Sequence, residues 1–351
     1  KIRLAIVGVG NCTSALIQGL SYYTKTGETI GLMHPDLGGY AVTDIEPVVA
    51  FDVDARKVGK DLAEAIFAPP NNCYRLPDVA VDEIGVKVLM GPVLDGVPPH
   101  LAEVVEVANQ DPADIARVLR EAGVDVMLNT LPTGSARAAR FYADAAIKEA
   151  RVAFVNGMPE LIVCDPGYQR VAEERSVPLV GDDVKSQLGG TIVHRALIRT
   201  MLDRGIHIKK TYQLNYAGNT DFKNLVRRGE SKEKTKGEAL TTLIPYPAEV
   251  SPGFAYIPNM RDRKTAQFYF EAANFGNAPL SFRAILEVED SANFGGTVAD
   301  AIRCCKIAQD RGIGGVLHSA SSFLMKHPPE MIPDEVALQH LEEFVAGTRR
   351  V

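Results

Sequence analysis

A chain of 351 residues is long enough for two domains, or for one α/β domain carrying a large insertion. Hydrophobic content of 46% and charged content of 23% describe a soluble globular protein with a sizeable core, and a formal charge of −6 offers no basic field to nucleic acid or an anionic membrane. Five cysteines, odd in number and without CxxC spacing, exclude a disulfide frame or a zinc site and read as buried thiols of a reducing cytoplasm.

The first element is residues 4–7, a short apolar run of the kind buried on both faces of a parallel sheet. Gly8, Val9 and Gly10 follow at once, and residues 11–19 begin a helix. Strand, glycine turn and helix together place a pyrophosphate against backbone N–H groups at a helix N-terminus. Gly8 permits the tight turn, and Gly10 leaves no Cβ between backbone and phosphates. The usual third glycine is absent, with Thr13 or Ser14 near its place. The pattern opens on a strand and shows neither a signal peptide nor the ~20 apolar residues of a membrane span, so a cytoplasmic location is expected. After an insertion over 27–47, residues 48–51 form a second buried strand ending in Asp52. An acidic residue there binds ribose hydroxyls and repels a 2′-phosphate, which favours NAD over NADP. Asp52 or Asp54 would serve equally as N-cap of a helix over 55–65.

That helix is expected to run to about residue 67, before the turn APPNN; a strand is possible at 86–90. From there helices at 114–122, 136–150 and 166–175 alternate with strands at 124–129, 153–156 and 177–180. The spacing predicts a doubly wound parallel sheet, with ligands bound at the polar strand ends. Cofactor-binding candidates are therefore Gly8, Gly10, Asn11, Cys12, Asp52, Thr133, Ser135, Asn156, Asp182 and Lys185. Beyond a helix at 191–203 the pattern changes to longer strands at 212–217, 266–275 and 282–289, a mainly antiparallel sheet, with 227–252 a polar loop region. Helices return at 296–308 and 334–345. The expected division is a nucleotide domain over 1–190, with 296–351 packing back on it, and a catalytic and oligomerising α+β domain over 191–295.

Lys232 and Lys236, four apart, share one helix face, where they repel unless an anion lies between them. Lys326 stands between an apolar approach and a proline stop, and Lys264 immediately precedes a strand. Asp182 and Asp183 can bind a metal or orient a lysine; two carboxylates are too few to specify a metal, so the identity of any cation stays open. The histidines lack ligand spacing, and no Gly-x-Ser-x-Gly pattern supports acyl transfer.

With these residues in view the chain resembles the myo-inositol-1-phosphate synthase family nearly end to end. The matches include GVGNC at 8–12, FDVD at 51–54, LPTGS at 131–135, GDDVKSQ at 181–187, GNTDF at 218–222, SKEKTK at 231–236, EDSANFGG at 289–296, KIAQDRGIGG at 306–315 and FLMKHPPE at 323–330. The resemblance implies a Rossmann domain binding NAD, usually a homotetramer, and a redox-neutral cyclisation of a sugar phosphate by oxidation, enolisation, intramolecular aldol addition and reduction. It makes Lys232, Lys236, Lys264 and Lys326 the active-site lysines and Asp183, Asn215, Asp221 and Asp290 its polar residues. Lys326 and Lys232 are assigned to the oxygen that is oxidised and later reduced, Lys236 and Lys264 to phosphate binding or proton transfer. Ala217 and Thr220 depart from the bacterial GGNMDF pattern in a loop expected to lie against the substrate. Glucose 6-phosphate is the expected substrate; fructose 6-phosphate, closing to a five-membered cyclitol phosphate, is the alternative.

Overall fold

The apolar run at the start of the chain is buried on both faces because it is the central strand of a parallel sheet. The structure, a computed structural model, describes residues 1–77, 79–228 and 244–351. The chain divides into two units, Lys1–Asn71 with Arg75–Lys185 and Phe294–Val351, and Asn72–Tyr74 with Ser186–Asn293.

In the first unit, β1 (Ile2–Val7) is followed by a small hairpin of β2 (Asp36–Leu37) and β3 (Tyr40–Ala41) within the insertion, then by β4 (Ile45–Asp52), β5 (Val88–Met90), β6 (Val126–Asn129), β7 (Ala153–Asn156) and β8 (Pro178–Val180). A two-residue strand near the C-terminus, Gly315–Val316, completes a seven-stranded sheet in which every pairing is parallel. β1 lies between β4 and β6, so the chain winds one way from it and then the other. Such a reversal opens a crevice at the strand C-termini. Side chains alternate across the sheet: Ile2, Leu4 and Ile6 join the core beneath helices Asn11–Thr26 and Asp290–Asp310, and Ala5 and Val7 join the opposite one beneath Ile115–Glu121, Ala136–Ala143 and Pro166–Arg175.

The helix expected over 55–67 is absent. Gly59 has φ +83°, which breaks a right-handed helix. Only Leu62–Ala65 is helical, and its N-cap is Asp61, whose carboxylate accepts from the Ala63 amide, so neither Asp52 nor Asp54 caps it. The helix over 136–150 winds as α to Ala143 and as π over Asp144–Ala150.

Among the described residues the second unit has four longer strands. β9 (His207–Ala217) pairs in parallel with β10 (Glu249–Tyr256) and antiparallel with β11 (Arg263–Ala273), which pairs antiparallel with β12 (Pro279–Glu289). Helix Gly190–Asp203 covers one face, bringing Val193, Leu197 and Ile198 against Ile208, Phe268 and Phe270. The first half of β10, residues 249–252, falls in the stretch expected as a loop. The strand carries Pro252 and Gly253, poor central-strand residues, but it is an edge strand, where a missing N–H is harmless. Of the cysteines only Cys304 and Cys305 are buried; Cys12, Cys73 and Cys164 are half-buried, which corrects the expectation for those three. No helix among the described residues is long and apolar enough to cross a membrane.

Candidate active site

The turn after β1 has nearly every polar group assigned. Gly8 has φ +89°, and a Cβ there would stand 2.9 Å from the Thr130 carbonyl oxygen, so only glycine fits. Its own carbonyl accepts from the Thr13 hydroxyl (2.6 Å) and the Thr130 hydroxyl (2.7 Å). Gly10 is the N-cap of helix Asn11–Thr26 and supplies no side chain; a Cβ there would meet nothing within 4 Å. The side where a pyrophosphate would approach is therefore open. Asn11 and Cys12, half-buried, form the first turn beyond it. Asp52, at the end of β4, accepts the amide N–H of Val9 (2.7 Å) on one oxygen and those of Val53 (2.7 Å) and Asp54 (2.9 Å) on the other. These bonds fix its carboxylate beside the glycine turn. Beneath lies buried Lys57, which the sequence reading passed over, 3.8 Å from Asp52. Further along the strand ends, Thr133 is half-buried, and buried Ser135 is the N-cap of Ala136–Ala143 without a capping bond from its side chain.

Asn156, at the end of β7, is enclosed. Its amide accepts from Asn129 (2.8 Å) and donates to Asp182 (2.7 Å). Asp182 is fully buried and also accepts the Val163 and Cys164 amides, both at 3.0 Å. Burial pushes its carboxyl up against those stabilising bonds. The Cys164 thiol is pushed up to about 12 by burial and by the Asp182 charge, which keeps it a thiol. Asp182 thus braces the loop under the site. Lys185 is likewise buried, its ammonium held by the Ser322 carbonyl (2.8 Å) and Asp334 (2.9 Å). It ties the strand end to the C-terminal segment.

Asp183 has a different setting. Residues 182–185 and 324–327 run side by side: Lys326 N–H donates to the Asp183 carbonyl (2.6 Å), Asp182 and His327 exchange backbone bonds at 3.0 Å, and Lys185 N–H donates to Leu324 (2.8 Å). This ladder presents the Lys326 ammonium to the Asp183 carboxylate at 2.9 Å, although 143 residues separate them. Of the two alternatives for the paired aspartates, orientation of a lysine is the one observed. Among the described residues no three His, Cys, Asp or Glu side chains gather to hold a metal.

The second unit carries its own lysine–carboxylate pair. Lys264 on β11 donates to Asp290, just past β12, at 3.0 Å, and its ammonium stands 5.7 Å from the centre of the Phe222 ring. Buried Asp262, missed in the sequence, accepts from Asn219 (3.1 Å) and from the hydroxyl (2.9 Å) and amide (3.1 Å) of Ser291. Burial, and next the charge of Asp290, push it up to about 6. Asp221 is exposed in the first turn of helix Thr220–Arg228. Lys232 and Lys236 lie outside the described residues. Ala217, one departure from the bacterial pattern, is wholly buried with Phe222 and Leu225, and Thr220, the other, is half-buried.

Asn215 ends a buried polar chain. His194 contacts Thr211 Oγ1 through Nε2 (2.7 Å) and Gln213 Oε1 through Nδ1 (3.2 Å), and Gln213 donates to Asn215 Oδ1 (2.8 Å). A Cβ on Gly190 would come within 2.2 Å of Gln213 Nε2, which explains a glycine at the start of that helix. Asn215 Nδ2 is buried without a partner among the described residues, a donor available to a ligand oxygen. Burial pushes His194 down to about 4, so it is neutral at pH 7. Between pH 6.5 and 4 the unfolded chain binds a proton that buried His194 refuses. Its stabilising contribution, complete above pH 6.5, is therefore lost as pH falls through 4, about 3 kcal/mol in all. Asp262 has the opposite sign, contributing below pH 4 and losing that contribution as pH rises through 6. Urea denaturation of the wild type and His194→Gln at pH 7 and pH 4 should show that stability difference shrinking toward acid; a pH-independent difference would refute a buried neutral His194.

A reversed parallel sheet with a glycine turn and an acidic strand end at its switch point is a Rossmann-type α/β protein. Residues 189–291 match the family model for myo-inositol-1-phosphate synthase. Inositol-3-phosphate synthase of Mycolicibacterium smegmatis is 45% identical over 361 residues, covering 99% of this chain and 98% of that protein. Among solved structures, that of Ari2 superposes with a TM-score of 0.84 at 35% identity, covering 99% of both chains. A myo-inositol-1-phosphate synthase-related protein from Thermotoga maritima, at 24% identity and 98% coverage of both chains, shares the fold with a TM-score of 0.80. The chain belongs to the myo-inositol-1-phosphate synthase family and is an isomerase of the intramolecular-lyase type.

Proposed function

We propose that this enzyme closes a hexose 6-phosphate, glucose 6-phosphate, into myo-inositol 1-phosphate with NAD as a recycled cofactor. The observation that carries the reading is the end-to-end 45% identity to an inositol-3-phosphate synthase. NAD binding is supported by the open face at Gly10 and the fixed Asp52 carboxylate. Held by the glycine turn and Asp52, NAD would supply reversible hydride acceptance, so that the overall reaction is an isomerisation. The chain's own residues handle charge and protons. Oxidation of a hydroxyl, removal of the neighbouring C–H proton and attack on the aldehyde each place negative charge on oxygen. Lys326, aimed by Asp183, neutralises that charge at the oxidised position together with Lys232. Lys264, aimed by Asp290, and Lys236 serve the phosphate or the proton transfers, and Asn215 and Asp221 contact the sugar. Asp262, raised to about 6, is a further group placed to hold a proton near neutral pH. The working form is a homotetramer in the cytoplasm, on the family resemblance alone.

Fructose 6-phosphate is the competing substrate, and the buried setting of Ala217 lends it no support. Purified enzyme with NAD and glucose 6-phosphate should yield a six-membered cyclitol phosphate, read by NMR, without NADH accumulating beyond the enzyme concentration. Steady NADH accumulation would mean a simple dehydrogenase. A five-membered product formed faster from fructose 6-phosphate would overturn the substrate assignment.

A further inference from the structure

The Val9 carbonyl, within the glycine turn, accepts two bonds, from Lys57 Nζ (2.8 Å) and Asn71 Nδ2 (2.9 Å). The two donors are joined, since Lys57 also donates to Asn71 Oδ1 (3.0 Å), and Asn71 is anchored by a second bond to the Ile66 carbonyl (3.0 Å). Lys57 is buried, so its ammonium is held on fixed partners, with the Asp52 carboxylate 3.8 Å away as counter-charge. A trans peptide is planar, and its C=O and N–H point in opposite directions. Holding the Val9 oxygen on Lys57 and Asn71 therefore aims the Gly10 N–H away from those two residues, and Gly10 places no Cβ beside that amide, in space that is itself open.

We propose that Lys57 and Asn71 are positioning residues for the dinucleotide: by clamping the Val9 carbonyl they aim the Gly10 amide at the pyrophosphate. The assignment rests on the reading that this chain binds NAD. An amide free to rotate would have to be ordered on binding, and an anion site built from backbone N–H groups depends on their prior alignment. Lys57 touches neither the substrate nor, on this assignment, the cofactor. It acts through the peptide plane.

Calorimetric titration of the full chain with NAD tests this. Lys57→Met and Asn71→Ala should each raise the NAD Kd about tenfold, and the double variant should raise it by less than the product, because both donors hold one oxygen. Lys57→Arg, which keeps a donor, should recover most of the affinity, and the apparent KM for NAD should rise more than kcat falls. If Lys57→Met and Asn71→Ala fold and bind NAD as the wild type does, even with a lower Tm, the clamp is structural only and the proposal fails. Wild-type protein that does not bind NAD would remove the cofactor reading itself, a result separable from unaffected variants.

Discussion

Replacing Lys326 with methionine should lower kcat/KM by about 10²–10³-fold, the loss seen when one donor to a developing oxyanion is removed. The substitution keeps the aliphatic stem and removes the charge that Asp183 aims at 2.9 Å. The backbone bond between Lys326 and Asp183 does not involve the side chain, so the ladder that holds both segments should survive. NAD affinity, measured by calorimetry, should stay within a few-fold of wild type, because the charge is needed only as the substrate oxygen becomes anionic. Asp183→Asn should lower turnover by less, since it loosens the lysine without removing it. The assignment would be falsified if Lys326→Met turned over normally. Loss of NAD binding in that variant would instead give Lys326 a role in holding the cofactor.

The two glycines of the turn should fail in different ways. Gly8→Ala puts an L-residue at φ +89° with its Cβ 2.9 Å from a backbone oxygen that cannot move aside. Left-handed strain and overpacking together cost about 3 kcal/mol, so the melting temperature should fall by several degrees. Gly10→Ala meets no protein atom, and its φ of −91° suits any residue. It should fold with at most a small loss at the N-cap and bind NAD about 10–100-fold more weakly, because a methyl crowding the pyrophosphate costs about 1–3 kcal/mol. Near-normal NAD affinity in Gly10→Ala would mean that the dinucleotide does not pass over this turn.

Much of the parallel sheet is local in origin and could be read directly. Residues 153–156 and 166–175 are delimited in the sequence as they occur, since an apolar run closed by Asn156 and a Pro at the start of a helix after Asp165 are short-range signals. Signals that depend on partners were misread. The stretch after Asp54 has helical composition, but Gly59 at positive φ and the pairing of Asp61 with Lys87 divert it. The edge position that makes Pro252 acceptable in β10 is a property of the whole sheet.

The candidate site divides along the same line. Sequence by itself determined the glycine turn and the acid at the end of β4, because residue type and order carry those features. Only the tertiary structure decided what each charged group does. Asp182 and Asp183 are neighbours, yet one is buried under three N–H bonds and the other aims a lysine. Lys185 and Lys326 look alike in sequence, but a carbonyl and Asp334 hold the first while the second is set beside Asp183. Lys57 and Asp262 carried no motif at all. The role of a charge is fixed by its burial and by partners that long-range backbone ladders deliver, and neither is encoded within a few residues of it.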